Sequence, residues 1–238
     1  MTETALQTGS VETTVDARVA IVEDHDLLAQ SLGYALSNLG IQVTKVPDLH
    51  ADAVLATLEG TELDLVLLDF DLGDAGIGLH LVRPITELGL RVVMLTGETN
   101  RVVLAECVEA GAMGIISKRE PFEHLIEQVS DVVSGRNILS VGTRELLMSE
   151  LRSHRAQEGE RLAPFARLTV RECEVLQDLI EGKNAERIAS ESFVSVATVR
   201  SHIKSLLAKL GVNSQLAAVA AAQRAGWTSP HTRPDTPS

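Results

Sequence analysis

Five residues in the first half of the chain have the types and spacing to handle a metal ion or a phosphoryl group. Glu23 and Asp24 follow an apolar run at 19–22, Asp69 follows one at 65–68, Thr96 follows 92–95, and Lys118 comes just after 114–116. If those runs are neighbouring parallel strands, all five side chains meet at one end of a sheet, where open α/β folds bind ligands. Three converging carboxylates repel one another and call for a cation, and hard oxygen donors select Mg²⁺ or a similar ion. A lysine and a hydroxyl opposite them suit a phosphoryl group, as charge clamp and hydrogen-bond donor. A carboxylate can itself accept a phosphoryl group. A single acid after a strand is more often a turn former or helix cap; five residues spread over four strand ends are harder to explain that way. The segment Val22-Glu23-Asp24-His25-Asp26 has no glycine-rich turn, which disfavours a dinucleotide site.

The elements that must position these residues are legible between about 18 and 135. Apolar runs at 19–22, 41–43, 65–68, 92–95 and 114–116 alternate with amphipathic stretches such as Leu27-Leu28, Leu32, Ala35-Leu36 and Leu39. Four of the runs are nearly continuous in apolar residues, as parallel strands buried on both faces require. The alternation predicts a doubly wound α/β domain with a five-stranded parallel sheet. Asp48 is expected to cap the helix that begins near Ala51.

After Leu146 the pattern changes. Residues 149–161 are polar and read as a linker, extending a helix. Beyond Leu168 only helical signals remain, over about 169–181, 184–191, 195–209 and 213–225. Thr169 and Glu172 have capping-box spacing, and Gly182 and Gly211 are expected helix stops. The segments 1–17 and 228–238 read as disordered tails. Cys107 and Cys173 form no disulfide framework, no run approaches the ~18 apolar residues of a membrane span, and no signal peptide is evident. A cytoplasmic location is the expectation.

The net charge of −12 argues against nucleic acid only if it is evenly spread. It is not: residues 1–159 hold 11 Lys+Arg and 25 Asp+Glu, whereas 160–238 hold 10 and 8. In the segment 195–210 the only charged residues are Arg200, Lys204 and Lys209. With 3% aromatic residues, base-stacking platforms are not expected. The stripe Val196, Val199, Ile203, Leu206, Leu207 leaves Arg200, Ser201 and Lys204 off the apolar side. The short helical piece 186–191 and turn 193–195 ahead of it make a helix–turn–helix pattern.

The segments Val-Ala-Ile-Val-Glu-Asp-His-Asp (19–26), Val-Leu-Leu-Asp-Phe-Asp-Leu (66–72), Val-Met-Leu-Thr-Gly (93–97) and Gly-Ile-Ile-Ser-Lys-Arg-Glu-Pro (114–121) resemble the receiver domain of two-component response regulators. Residues 168–227, through Leu-Thr-Val-Arg-Glu-Cys-Glu-Val-Leu and Val-Ser-Val-Ala-Thr-Val-Arg-Ser-His-Ile-Lys, resemble the LuxR/NarL-type DNA-binding domain. The resemblance implies Asp69 as phosphoacceptor, with Thr96 as switch hydroxyl and Lys118 as phosphate-binding lysine. It implies Glu23, Asp24, Asp69 and the main-chain carbonyl of Asp71 around Mg²⁺. Thr198, Arg200, Ser201, Lys204 and Lys209 would contact double-stranded DNA, Glu172 would be structural, and the last helix would dimerise.

The resemblance departs from the family pattern in several places. Leu72-Gly73-Asp74 replaces the usual Met-Pro-Gly, Gly78 falls one residue late, and Ile115 stands where an aromatic is usual. Asn184-Ala185-Glu186-Arg187 replaces Ser-Asn-Lys-Glu, and Gln215 replaces an arginine.

The expected organisation is therefore a receiver domain at 18–136, a linker with helix at 137–165 and a helix–turn–helix domain at 166–227. The expected function is a transcription regulator, not an enzyme, phosphorylated on Asp69 by a sensor histidine kinase. It would bind DNA as a homodimer when active, with RNA polymerase as a further partner and no membrane association. Two alternatives stand beside it. One is a phosphorylation-independent transcription factor, suggested by the altered 72–78 loop and Ile115. The other is a haloacid-dehalogenase-type phosphohydrolase, suggested by Asp69-Phe70-Asp71, although that motif should close the first strand and here closes the third.

Overall fold

The computed structural model describes residues 17–230; the tail expectations for 1–16 and 231–238 lie outside the described residues. The described residues divide into two compact units, the first ending at Arg152 and the second beginning at Ser153.

In the first unit β1 (Arg18–Val22), β2 (Gln42–Lys45), β3 (Leu65–Asp69), β4 (Arg91–Thr96) and β5 (Gly114–Ser117) form one sheet. The strand order is β2-β1-β3-β4-β5 and every pairing is parallel. Helices α1 (Asp26–Asn38), α2 (Ala51–Glu59), α3 (Leu79–Glu87), α4 (Arg101–Ala110) and α5 (Phe122–Val133) connect them. The apolar runs are continuous because both faces of the sheet are covered. Val19, Ile21, Leu65, Leu67, Val93, Leu95 and Ile116 face a core shared with α1 and α5. The alternate residues Ala20, Val22, Val66, Leu68, Val92 and Met94 face a second core with α2 and α3. Each fully buried Leu or Ile contributes about 1.5–3 kcal/mol of transfer free energy. The strand order reverses at β1, so the crevice between the carboxyl ends of β1 and β3 is where such a sheet receives a ligand.

Asp48 does not cap α2. His50 occupies the cap position without a side-chain hydrogen bond. The Asp48 carboxylate instead accepts from the His50 backbone N–H at 3.0 Å and its ring Nδ1 at 2.8 Å. It lies two residues upstream of the cap, so it shapes the approach loop rather than the first turn.

The polar stretch 149–161 lies within one long helix, α6 (Val141–Leu162). Its first half belongs to the first unit. Leu147 and Leu151 pack on Ala105 and Val108 of α4, Arg144 donates to the Ala112 carbonyl at 3.1 Å, and Arg101 pairs with Glu150 at 2.6 Å.

The second unit contains α7 (Val170–Ile180), α8 (Ala185–Glu191), α9 (Val196–Leu210) and α10 (Gln215–Ala225). Each begins with a side-chain cap, from Thr169, Asn184, Ser195 and Ser214 respectively, and such caps contribute about 1 kcal/mol each. Thr169 and Glu172 form the full capping box. Leu176, Ile188, Val199, Ile203, Leu206, Ala218 and Ala222 share one core, and Phe165 stacks on Trp227 with ring centroids 5.7 Å apart. Gly211 adopts the left-handed conformation (φ 69°) that ends α9.

Candidate functional site

The sheet brings Glu23, Asp69 and Lys118 together, with Thr96 at the end of the neighbouring strand β4. Glu23 and Asp69 are almost wholly buried, as is Thr96. The Lys118 ammonium bridges the two acids, 2.7 Å from Glu23 Oε2 and 2.6 Å from Asp69 Oδ2. Asp24 sits at the rim with its carboxylate 2.6 Å from His25 Nδ1. Glu23, Asp24, His25 and Asp69 each offer one ligand atom, all within 4.8 Å of one another. Burial pushes the Asp69 carboxyl up to about 7; the Lys118 hydrogen bond opposes this and the Glu23 charge adds to it. Beyond the Lys118 ion pairs, no hydrogen bond reaches the buried oxygens Glu23 Oε2 and Asp69 Oδ2. A compact divalent cation is the kind of group that such crowded, under-satisfied carboxylates accommodate.

Local geometry explains the placement. Asp69 closes β3, and its Oδ1 accepts from the Asp71 N–H at 3.3 Å. Asp71 lies on the exposed loop beyond it. Thr96 closes β4, where its Oγ1 accepts from the Glu98 N–H at 2.9 Å. The 72–78 loop absorbs its altered sequence in a 3₁₀ turn at Gly73–Ala75, with Gly73 at φ 59° and Gly76 at φ 104°. It returns to the strand through Gly78 N–H to the Phe70 carbonyl at 2.8 Å. A Cβ on Gly78 would lie 1.9 Å from the Asp69 carbonyl oxygen, so only glycine fits there. Ile115 contributes to the cluster in which α6 packs on α4.

The second candidate surface is on α9. Thr198, Arg200, Ser201 and Lys204 are exposed along it. The reading of this helix as purely cationic holds for its own sequence but not for its surroundings. Arg200 meets Glu186 of α8 at 2.9 Å. Lys209 is half-buried, 2.6 Å from Glu172 of α7. Glu172 also accepts from the Ser205 hydroxyl at 2.6 Å and the Thr169 N–H at 2.7 Å. Burial alone would raise the Glu172 carboxyl, but the hydrogen bonds from Lys209, Ser205 and Thr169 outweigh it and hold it at about 2.

The sequence reading did not single out His25 or Glu186 for these sites. His25 stands directly beside the two acids, so adjacency was the available signal. For Glu186 the acid in the first turn of α8 reads simply as favourable to the helix dipole.

A buried acidic cluster bridged by a lysine at the end of a five-stranded parallel sheet, followed in the same chain by a helix–turn–helix, is the layout of a regulator with separate input and DNA-binding domains. Family comparison agrees. The response regulator receiver domain matches residues 19–130, and the bacterial regulatory proteins of the luxR family match 166–222. A probable transcriptional regulatory protein NarL of Mycobacterium tuberculosis is 30% identical over 210 residues, covering 87% of this chain and 94% of the relative. The transcriptional regulatory protein DesR of Bacillus subtilis is 28% identical over 211 residues, covering 88% and 98%. Among solved structures, the RcsB response regulator of Salmonella typhimurium aligns with 22% identity and a TM-score of 0.46, covering 88% of this chain and 98% of that one. The chain belongs to the NarL/LuxR-type response regulators, the DNA-binding transcriptional regulators of two-component systems. Among the described residues, no helix is long and apolar enough to cross a membrane.

Proposed function

We propose that Asp69 receives a phosphoryl group from a sensor histidine kinase and that this controls DNA binding through α9. The observation that carries the reading is the buried Asp69 carboxylate held 2.6 Å from Lys118, inside a cluster of acids. An Asp69 oxygen forms the new bond to phosphorus as the donor's phosphorus–nitrogen bond breaks, and the imidazole departs with its electron pair. Lys118 faces the incoming charge, and the Thr96 hydroxyl lies at the neighbouring strand end as donor to a phosphoryl oxygen. Glu23, Asp24, Asp69 and the main-chain carbonyl of Asp71 would hold Mg²⁺, which when bound would draw charge from the phosphoryl oxygens.

On this reading residues 18–136 are the receiver and 166–227 the DNA-binding domain. Thr198, Arg200, Ser201 and Lys204 present bases or phosphates with hydrogen-bond donors from α9, the second helix of the pair. Lys209 anchors α9 to α7 through Glu172. Phosphorylation biases the receiver between two states, and the favoured state forms a homodimer that reads two half-sites about one helical turn apart. The protein works in the cytoplasm and acts on transcription through RNA polymerase.

Incubation with a small phosphodonor and Mg²⁺ followed by peptide mass spectrometry tests the chemistry. One acid-stable, base-labile adduct on the peptide carrying Asp69 is expected. An adduct only at another residue would contradict the assignment.

A further inference from the structure

Two of the three cations on α9 are already answered by acids from neighbouring helices, and the two pairs differ in kind. Lys209 meets a buried carboxylate and belongs to the packing of α7 on α9. Arg200 meets Glu186, whose side chain is 57% exposed against 68% for Arg200. Exposed ion pairs contribute little to folding, so the fold does not require this one. Lys204 has no acid partner among the described residues.

In a helix–turn–helix the first helix crosses the DNA backbone while the second enters the groove. Glu186 is in the first turn of α8, and its reach of 2.9 Å to Arg200 places a carboxylate on the α9 side that would face phosphates. We infer that Glu186 is an internal competitor for Arg200 that sets the strength and salt dependence of DNA binding. Before DNA arrives, the carboxylate holds the guanidinium that a phosphate or guanine edge would take. On binding, Arg200 must exchange partners, and Glu186 is left within the field of the phosphates. Both effects oppose binding to any duplex, so Glu186 holds down indiscriminate affinity. Sites at which other contacts position α9 overcome it. This inference rests on the proposed role of α9 as the DNA-reading helix.

The test compares the full-length natural chain with E186Q, R200Q, K204Q and E186Q/R200Q. The probe is a labelled random-sequence duplex about three helical turns long, titrated between about 50 and 200 mM salt. E186Q should bind about tenfold more tightly at the low-salt end and about threefold more tightly at the high-salt end. That convergence corresponds to a log–log slope steeper by about 0.9, one additional phosphate neutralised. In the R200Q background the gain should fall below about half of its value on the logarithmic scale, because the competition has been removed.

If R200Q and K204Q weaken binding but E186Q leaves affinity and slope unchanged, the inference is overturned while α9 remains the reading helix. An equal gain from E186Q with and without Arg200 would also overturn it, showing plain repulsion rather than competition. If R200Q and K204Q have no effect, the DNA-reading role of α9 itself fails. Melting profiles matching the natural chain, expected for exposed residues, confirm that the variants are folded.

Discussion

Asp69→Asn is expected to abolish phosphodonor labelling and, at neutral pH and above, to stabilise the first unit. The two effects share one cause. The Asp69 carboxylate is buried beside Glu23, and burial is the main reason its carboxyl rises from 3.8 to about 7. A carboxyl raised in the folded state favours folding fully below its unfolded value, and that benefit is lost as the pH climbs through about 7. The natural chain should therefore lose stability between about pH 4 and 7. Asparagine has nearly the same shape, carries no charge and leaves Lys118 paired with Glu23. The expected gain above neutrality is about 1–3 kcal/mol, since three pKa units would give about 4 and the Lys118 pair lost on substitution offsets part of it. Hydrogen exchange of the β1 and β3 amides in the full chain reads the first unit separately. A variant that is less stable at pH 8, or whose difference from the natural chain does not vary with pH, would sink this reading. A functional group held at a cost to stability is what an active site requires.

Glu172→Ala is expected to weaken the second unit by about 2–4 kcal/mol. Glu172 satisfies four partners at once: the Thr169 N–H through the capping box, the Ser205 hydroxyl and the Lys209 ammonium, and its own N–H bonds the Thr169 side chain. Alanine removes the acid side and leaves the Lys209 ammonium half-buried without it. Because Ser205 and Lys209 are on α9 and Glu172 on α7, the loss also frees the angle at which α9 is presented. DNA affinity should fall with stability, whereas Glu172→Gln, which keeps the length and some of the hydrogen bonds, should lose less of both. Acid provides the matching signature. With its carboxyl held at about 2, Glu172 stabilises the fold above the ordinary 4.5, and this is lost as the pH falls toward 2. Acid unfolding of the second unit, followed by Trp227 fluorescence, should show that window in the natural chain and lack this contribution in Glu172→Ala. An alanine variant with unchanged stability would show that the buried network does not hold α7 to α9.

Much of the first unit was legible because its constraints are local. Continuous apolar runs such as Leu65-Val66-Leu67-Leu68 can be satisfied only by strands covered on both faces, and residues that end such strands must converge. That logic brings Glu23, Asp24, Asp69, Thr96 and Lys118 to one end of the sheet, and Glu23, Asp69 and Lys118 are in contact there. The caps at Thr169 and the stop at Gly211 were legible for the same reason, since each depends on residues within one turn. What was not legible depends on how helices cross. Glu186 reaches Arg200 across 14 positions and Glu172 reaches Lys209 across 37, distances over which sequence periodicity carries no information. A helix can therefore be purely basic in its own sequence and largely neutralised in place. Asp48 failed as a cap by two residues, at the limit of the precision with which helix starts can be read. A helix in the linker was expected, but not the extent of α6, because only Leu147 and Leu151 of its residues are buried, too few to print an apolar stripe.

The central claim is that chemistry at Asp69 governs DNA binding through the second unit. It is tested most directly by measuring the DNA affinity of the full chain with and without a small phosphodonor plus Mg²⁺, beside Asp69→Asn. The expected result is a phosphodonor-dependent tightening of about tenfold or more in the natural chain, equivalent to about 1.4 kcal/mol, and none in the variant. Equal affinities for the natural chain in the two conditions, with Asp69 labelling verified in the same sample, would contradict it.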